Sequence, residues 1–375
     1  MDARSDSRRN VPRALAVIER GVRERLHIGA QLYASLNGTV CADIAVGEAR
    51  RGVALTADSL MLWMSSVKPV TAAAVLQLGE RGLLALDDPV CRHLPEFAAH
   101  GKAAVTIRHV LTHTGGFPNV AVHWSTAPWD DILAEICATP LLPGWVPGAR
   151  AAYHVASGWY VLGEIIRRVD GRDYDRYVRE AIFEPLGMDD TWIGMPIERH
   201  RTYGDRIAPM HATELEPMPH PYWPWAGSAE ACAVCRPGGN AWGPARELGR
   251  FYTALLNGGA WQDRRILQPE SVSLITACHT SGMLDETFQI RLDRGLGVVL
   301  DSKRYGAGSA WYGPRCSERT FGHGGYRCSV GFGDPVHRLA VAVIFNGMPS
   351  DAAHETRVHD LLEALYADLG LGPAA

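Results

Sequence analysis

Extended patterning sits at the two ends of this 375-residue chain, and the stretch between them, from Lys68 to about Thr280, reads mainly as helix. Near the start, "AQLYASLNGTVCADIAVG" alternates on both sides of Asn37-Gly38, a pair that accepts the positive φ angles of a two-residue hairpin turn. Strand-like runs return only in "RGLGVVL", "RTFGHGGYRCSVGFGDP" and "HRLAVAVIFNG". Apolar positions at Val11, Leu15, Ile18 and Val22 give a helix before the first strand, and an amphipathic helix near Ser350 to Leu369 closes the chain. The expected fold is therefore α/β (α+β): an antiparallel sheet built from both chain ends and flanked by helices, with an inserted helical lobe. Residues 1–67 and 290–375 would form the sheet lobe and 68–289 the helical lobe, with a cleft between them as the default pocket.

Inside the helical middle, "VTAAAVLQLGERG", "TIRHVLTH", "WDDILAEICA", "GWYVLGEIIRRV", "YDRYVREAIF" and "PARELGRFYTALLNGG" are separated by short polar or Gly/Pro loops. Thr106 and Asp173 are expected N-caps, and Gly258-Gly259 a helix stop. No internal repeat marks a solenoid or propeller.

The stretch "MLWMSSVKPVTAAAV" carries a lysine into apolar surroundings with no acid to pair with it. Ser65 and Lys68 stand three apart, so on a helix they share a face, and Pro69 is tolerable only near a helix start. Free N–H groups and the positive dipole end there favour negative charge on the serine and disfavour a charged lysine. Burial among Met61, Leu62, Trp63, Met64 and Val67 acts in the same direction, lowering the amine from about 10.4 toward the ~7–8 useful in a general base. The bland alternative is a snorkelling lysine beside capping serines.

Other classes find less support. Lysine and arginine total 37 against 41 acids, a net charge of −4, and no basic run interleaved with aromatics suggests nucleic acid. No apolar run reaches the length of about 18 residues needed to span a bilayer, and the N-terminus lacks the apolar core of an export signal. The expected setting is the cytoplasm, with the eight cysteines reduced and mostly buried. Cys232-x-x-Cys235 could be half of a zinc site, but no second pair follows; packing thiols are the alternative. His109 and His113 have helical metal spacing, yet Val110 stands where a metalloprotease has glutamate, so packing and capping around "THTGG" is expected. Neither a metal nor a cofactor is implied, and no G-x-S-x-G elbow occurs.

With S-x-x-K at Ser65 and Lys68, the segments "SSVKPVTAAAVLQLGERGLLALDDPV", "TIRHVLTHTGGFP" and "IFEPLGMDDTWIG" resemble the serine β-lactamase and penicillin-binding-protein superfamily, especially its class C β-lactamase-like, family VIII esterase and transacylase members. The likeness runs over most of Ala30 to Gly347. It implies a serine acyl-enzyme mechanism on a β-lactamase/transpeptidase-like fold. Tyr153 in "YHVASGWYVLGEI" matches the tyrosine of the second motif, which would share or relay the proton with Lys68. Val155 replaces that motif's polar third residue, for which His154 or Ser157 could substitute. His323-Gly324-Gly325 matches the Lys-Thr-Gly strand, and the backbone N–H groups of Ser65 and Tyr326 would form the oxyanion hole.

A valine at 155 and a histidine at 323 disfavour recognition of a β-lactam or a cell-wall peptide. The expected substrate is a small-molecule carboxylic ester, with water as acceptor in an esterase and an alcohol or amine as second substrate in an acyltransferase. Tyr222, Trp223 and Trp225 in "PYWPWAGSAE" could line the cleft or pack between lobes. A catalytically silent binding protein on the same fold is the contrasting class.

Overall fold

The computed structural model describes residues 8–124, 126–214, 220–221 and 227–372. Helix α1 (Pro12–Arg23) precedes a hairpin of β1 (Gly29–Leu36) and β2 (Thr39–Arg50), joined at Asn37 and Gly38 with φ of 53° and 79°. After a short β3 (Val53–Ala54) the chain enters helix α2 (Lys68–Glu80). Helices α3 (Ser157–Asp170) and α4 (Ala245–Leu256) follow. The chain then lays down β4 (Thr280–Asp285), β5 (Ile290–Arg294), β6 (Val299–Leu300), β7 (Phe321–Gly325), β8 (Ser329–Asp334) and β9 (Leu339–Phe345), and ends in α5 (Asp351–Asp368).

Among the described residues these strands form one nine-stranded sheet in the order β4-β5-β6-β7-β8-β9-β1-β2-β3, antiparallel throughout. The two chain ends meet where β1 pairs β9, from Ala30↔Phe345 to Leu36↔Leu339. Helix α4 covers one face and α1 with α5 the other. Along β9, Ala340, Ala342 and Ile344 join the first core while Leu339, Val341, Val343 and Phe345 join the second. With both faces covered, the strand reads as one apolar run rather than an alternation.

The sheet reaches back to Thr280, earlier than the expected boundary at residue 290, and α4 also packs on it from within 68–289. β4 was missed because it is an edge strand with most of its residues partly exposed and an irregular register against β5, so it carries no apolar alternation. Helix α2 is buried on all sides, which is why its sequence is apolar around the whole circumference. Thr106 caps Ile107–Leu111 as expected, its hydroxyl accepting from the His109 N–H while His109 Nδ1 accepts from the Thr106 N–H. Asp173 stands before Tyr174–Val178 without a capping bond; its carboxylate lies 3.3 Å from Arg167 instead. Gly258 and Gly259, at φ 65° and 85°, do stop α4.

Candidate active site

Ser65 is delivered by a short strand and a tight turn. Met61 and Leu62 pair with Gly243 and Trp242, the Trp63 N–H donates to Ala241 O, and the Trp63 indole donates to Gly243 O at 2.9 Å. Met64 then takes φ 49°, a left-handed conformation that strains a residue with a side chain by about 1–3 kcal/mol. The following turn, Met64–Val67, is a 3-10 helix that runs into α2. Residues three apart eclipse in a 3-10 turn, whereas an ordinary helix offsets them by roughly 60°. Ser65 and Lys68 are therefore more closely superposed than their spacing alone implied, and Lys68 Nζ lies 2.9 Å from Ser65 Oγ.

Lys68 is fully buried and has no acid partner among the described residues. Its other polar contacts are the carbonyls of Val155 at 3.0 Å and Gly238 at 2.6 Å. Burial drives the amine well below its usual value. A neutral amine has two N–H donors and one lone pair. The two carbonyls take the donors, which leaves the lone pair for the Ser65 hydroxyl proton.

Tyr153 is the second group on Ser65: its buried phenol hydrogen-bonds the serine and lies under the lysine, whose Nζ is 5.2 Å from the ring centroid. Burial pushes the phenol above its usual value, against smaller opposing effects of the Ser65 bond and Arg294. At neutral pH the tyrosine is therefore a protonated donor. The ring sits between His113 and Phe288, with centroids 4.7 Å away in each case. Its backbone N–H donates to Asp285 Oδ1 at 3.3 Å, and Asp285 is buried in an ion pair with Arg294.

The strand β7 borders the serine turn so closely that a Cβ on Gly325 would lie 2.3 Å from Trp63 O and 3.0 Å from Met64 Cβ. Only glycine permits that approach. Two serines fasten the strand: Ser66 Oγ donates to His323 O at 3.0 Å, and Ser329 Oγ donates to Trp63 O at 2.6 Å. The result sets the Tyr326 backbone, next along the chain, beside the Ser65 turn; its side chain is exposed. Gly324 is less constrained, since a Cβ there would make only ordinary contacts. His323 is buried near Tyr153 and Trp311, with Nδ1 on Gly324 O at 2.7 Å and no protein partner for Nε2. Burial first, then the charge of Lys68, lowers it well below the usual imidazole value.

Other expected positions are engaged elsewhere. His154 is buried against Phe117, with ring centroids 4.4 Å apart, and burial lowers it to about 4. Ser157 Oγ accepts the Val120 N–H at 3.1 Å, so it anchors a loop. The Ser157 hydroxyl is thus engaged away from Ser65, and His154 is enclosed beside Phe117 and His113. Val155 stays at that position, 53% exposed, using only its carbonyl on Lys68. Trp223, with Tyr222 and Trp225, lies outside the described residues. His113 Nδ1 accepts the His154 N–H, Cys232 is buried near Met195 and Trp242, and Cys235 packs beside Gly194 and Asp175. The cysteines of the described residues are free thiols.

Val155 O and Gly238 O could not be foreseen, because a backbone carbonyl has no side-chain signature. Ser66 and Ser329 were equally silent: a serine that staples two strands looks like any other serine. Asp285 and Arg294, which lie against Tyr153, carried no such signal either.

A family model described as Beta-lactamase matches residues 16–365. Over 348 residues the chain is 28% identical to the Esterase/beta-lactamase LipL of Mycobacterium tuberculosis, which covers 86% of this chain and 78% of that protein. A penicillin-binding protein homologue from Caulobacter crescentus superposes with a TM-score of 0.81 at 30% identity, over 96% of this chain and 97% of that one. A family VIII carboxylesterase superposes equally well, with a TM-score of 0.81, 26% identity and the same coverage. No described helix is long and apolar enough to cross a membrane.

Proposed function

The chain belongs to the beta-lactamase family, and we propose that it is a serine esterase-type hydrolase that forms an acyl intermediate on Ser65. The observation that carries the reading is the 2.9 Å contact between Ser65 Oγ and a buried amine that has no acid partner among the described residues and that burial drives well below its usual value. In the first step Ser65 Oγ attacks the ester carbonyl as its proton passes to Lys68 Nζ. Negative charge develops on the carbonyl oxygen, facing the backbone N–H groups of Ser65 and Tyr326. The C–O bond to the alcohol breaks and the departing oxygen takes the proton, with the Tyr153 phenol as relay. Water then repeats the sequence in reverse, Lys68 accepting its proton, and releases the acid.

The substrate class follows from what the cleft offers. His323 is neutral near pH 7, so the carboxylate of a β-lactam meets no fixed charge there, and Val155 cannot bond an amide side chain. The rings of Tyr153, Phe288 and Trp311 give an apolar wall suited to an ester. The expected division into a sheet lobe and a helical lobe would place ester entry in the cleft between them. Transfer to an alcohol or amine uses the same acyl-enzyme, and is the second reading. A fluorophosphonate should add its mass to Ser65 in the wild type and not in Ser65→Ala. An unlabelled wild type that also fails to cleave p-nitrophenyl esters would refute the proposal. Product analysis with an ester donor, with and without added amines or alcohols, separates transfer from hydrolysis.

A further inference from the structure

Residues 152–156, which carry Tyr153, belong to no helix or strand. A catalytic side chain has to be held within about 0.5 Å of its working position, so a phenol on such a loop needs an anchor. The turn between β4 and β5 supplies it. Asp285 closes that turn, its carbonyl accepting the Gln289 N–H at 2.7 Å. The chain before Tyr153 runs alongside: Ala151 bridges Asp285 in parallel, the Glu286 N–H donates to Ala151 O at 2.9 Å, and Arg150 forks onto the Glu286 carboxylate at 2.6 and 2.8 Å. At Tyr153 itself both backbone groups bond to the turn. The N–H donates to Asp285 Oδ1 at 3.3 Å, and the carbonyl accepts from Thr287 Oγ1 at 3.3 Å. His113 secures the flanking residues, taking the Ala152 N–H on its carbonyl at 2.9 Å and the His154 N–H on Nδ1 at 3.0 Å.

The Asp285 carboxylate is the hub of this arrangement. Oδ1 gathers three backbone N–H groups, those of Tyr153, of Thr287 at 2.9 Å and of Phe288 at 3.1 Å, while Oδ2 is paired with Arg294. Acid and arginine are both buried, and the guanidinium carbon lies 5.8 Å from the centroid of the Tyr153 ring. Stability does not account for such a pair. Desolvating two buried charges costs about as much as their attraction returns, and apolar residues of similar volume often serve as well. Apolar side chains cannot, however, supply one oxygen that accepts both from the backbone of Tyr153 and from the turn whose Phe288 packs 4.7 Å from its ring. A charged acceptor also makes these bonds stronger than a neutral one would.

The geometry points to Asp285 and Thr287 as positioning residues for acyl transfer, which act through Tyr153 by fixing where its phenol meets Ser65. The inference rests on the reading of Tyr153 as proton relay to an acylated Ser65. A misplacement of about 1 Å can cost about 10²-fold in rate. Loosening the anchor therefore reads out in kcat rather than in KM.

Steady-state hydrolysis of p-nitrophenyl butyrate tests this as a double-mutant cycle with Tyr153→Phe. Asp285→Asn keeps an acceptor oxygen and loses the charge, so kcat should fall about tenfold with KM little moved. In the Tyr153→Phe background the same change should cost less than about twofold, because the phenol that it aligns is gone. Thr287 is exposed, so Thr287→Val carries the test if Asp285→Asn fails to fold. It should lower kcat about threefold with Tyr153 present and not in Tyr153→Phe, and Thr287→Ser should recover the loss. A loss equally large with and without the phenol, or wild-type kcat in the folded variants, would overturn the inference. Failure of the underlying reading looks different: ester cleavage persisting in Ser65→Ala, or a Tyr153→Phe enzyme as fast as wild type. Either would overturn the inference at its premise, whatever the cycle gave.

Discussion

Replacing Lys68 by methionine removes the amine and keeps most of the volume. Two carbonyls, Val155 O and Gly238 O, lose their donor, at a cost of about 1–3 kcal/mol each if no water replaces it. Against this, burial no longer depresses the affinity of an amine for its proton, a relief of the opposite sign. The variant should therefore fold. Its rate should not survive: a positioned general base contributes about 10²–10⁴-fold, and Tyr153, held as a phenol, is too weakly basic to take the lysine's place. We expect kcat/KM for p-nitrophenyl butyrate to fall by about 10³-fold or more, with fluorophosphonate labelling slowed in parallel.

The pH dependence supplies a second readout with a definite sign. In the folded wild type the amine binds its proton less tightly than in the unfolded chain. Stability is therefore lost as pH falls from about 10.4 toward the lowered folded value, by about 1.4 kcal/mol per unit, and is level below it. Urea unfolding of Lys68→Met should lack that slope. A folded methionine variant with kcat/KM within tenfold of wild type would refute the base role, and an unchanged slope would refute the buried neutral amine.

Tyr153→Phe keeps the ring between His113 and Phe288 and loses the bond to Ser65, so kcat should fall about 10²-fold with KM little moved in steady-state ester hydrolysis. Gly325→Ala would place a methyl group against Trp63 O and Ser329 Oγ, so labelling of Ser65 and the thermal midpoint should both drop. Glu247, buried and bonded to Thr191 Oγ1 at 2.5 Å, has its carboxyl raised to about 7, chiefly by burial. Because the folded state holds that proton more tightly, stability should decline as pH rises from about 4.3 to 7, and Glu247→Gln should abolish that decline in denaturant titrations.

What could be read before the fold was seen divides along physical lines. The Ser65–Lys68 pair was legible because both members lie on one turn, and the environment of the lysine follows from its apolar neighbours. The Asn37-Gly38 hairpin and the cap at Thr106 were legible for the same reason, since their chemistry is complete within four residues. Tyr153 and the His323-Gly324-Gly325 strand were placed by resemblance and brought to Ser65 by long-range packing. Features defined by tertiary contact alone were illegible. The carbonyls on Lys68 carry no side chain, Asp173 prefers Arg167 to its own helix, and β4 is a thinly covered edge.

The pairing of β1 with β9 has a bearing on how this protein comes into being on the ribosome. β1 is finished at Leu36, but its second neighbour begins only at Leu339. At roughly 5–20 residues per second, the intervening polypeptide takes some 15–60 s to emerge. Throughout that interval the apolar edge of β1 stands open, and for most of it the strand carrying His323 has yet to be translated. A nascent chain can thus display its serine and lysine long before it can act on an ester, and it needs shielding from other half-made chains for just as long.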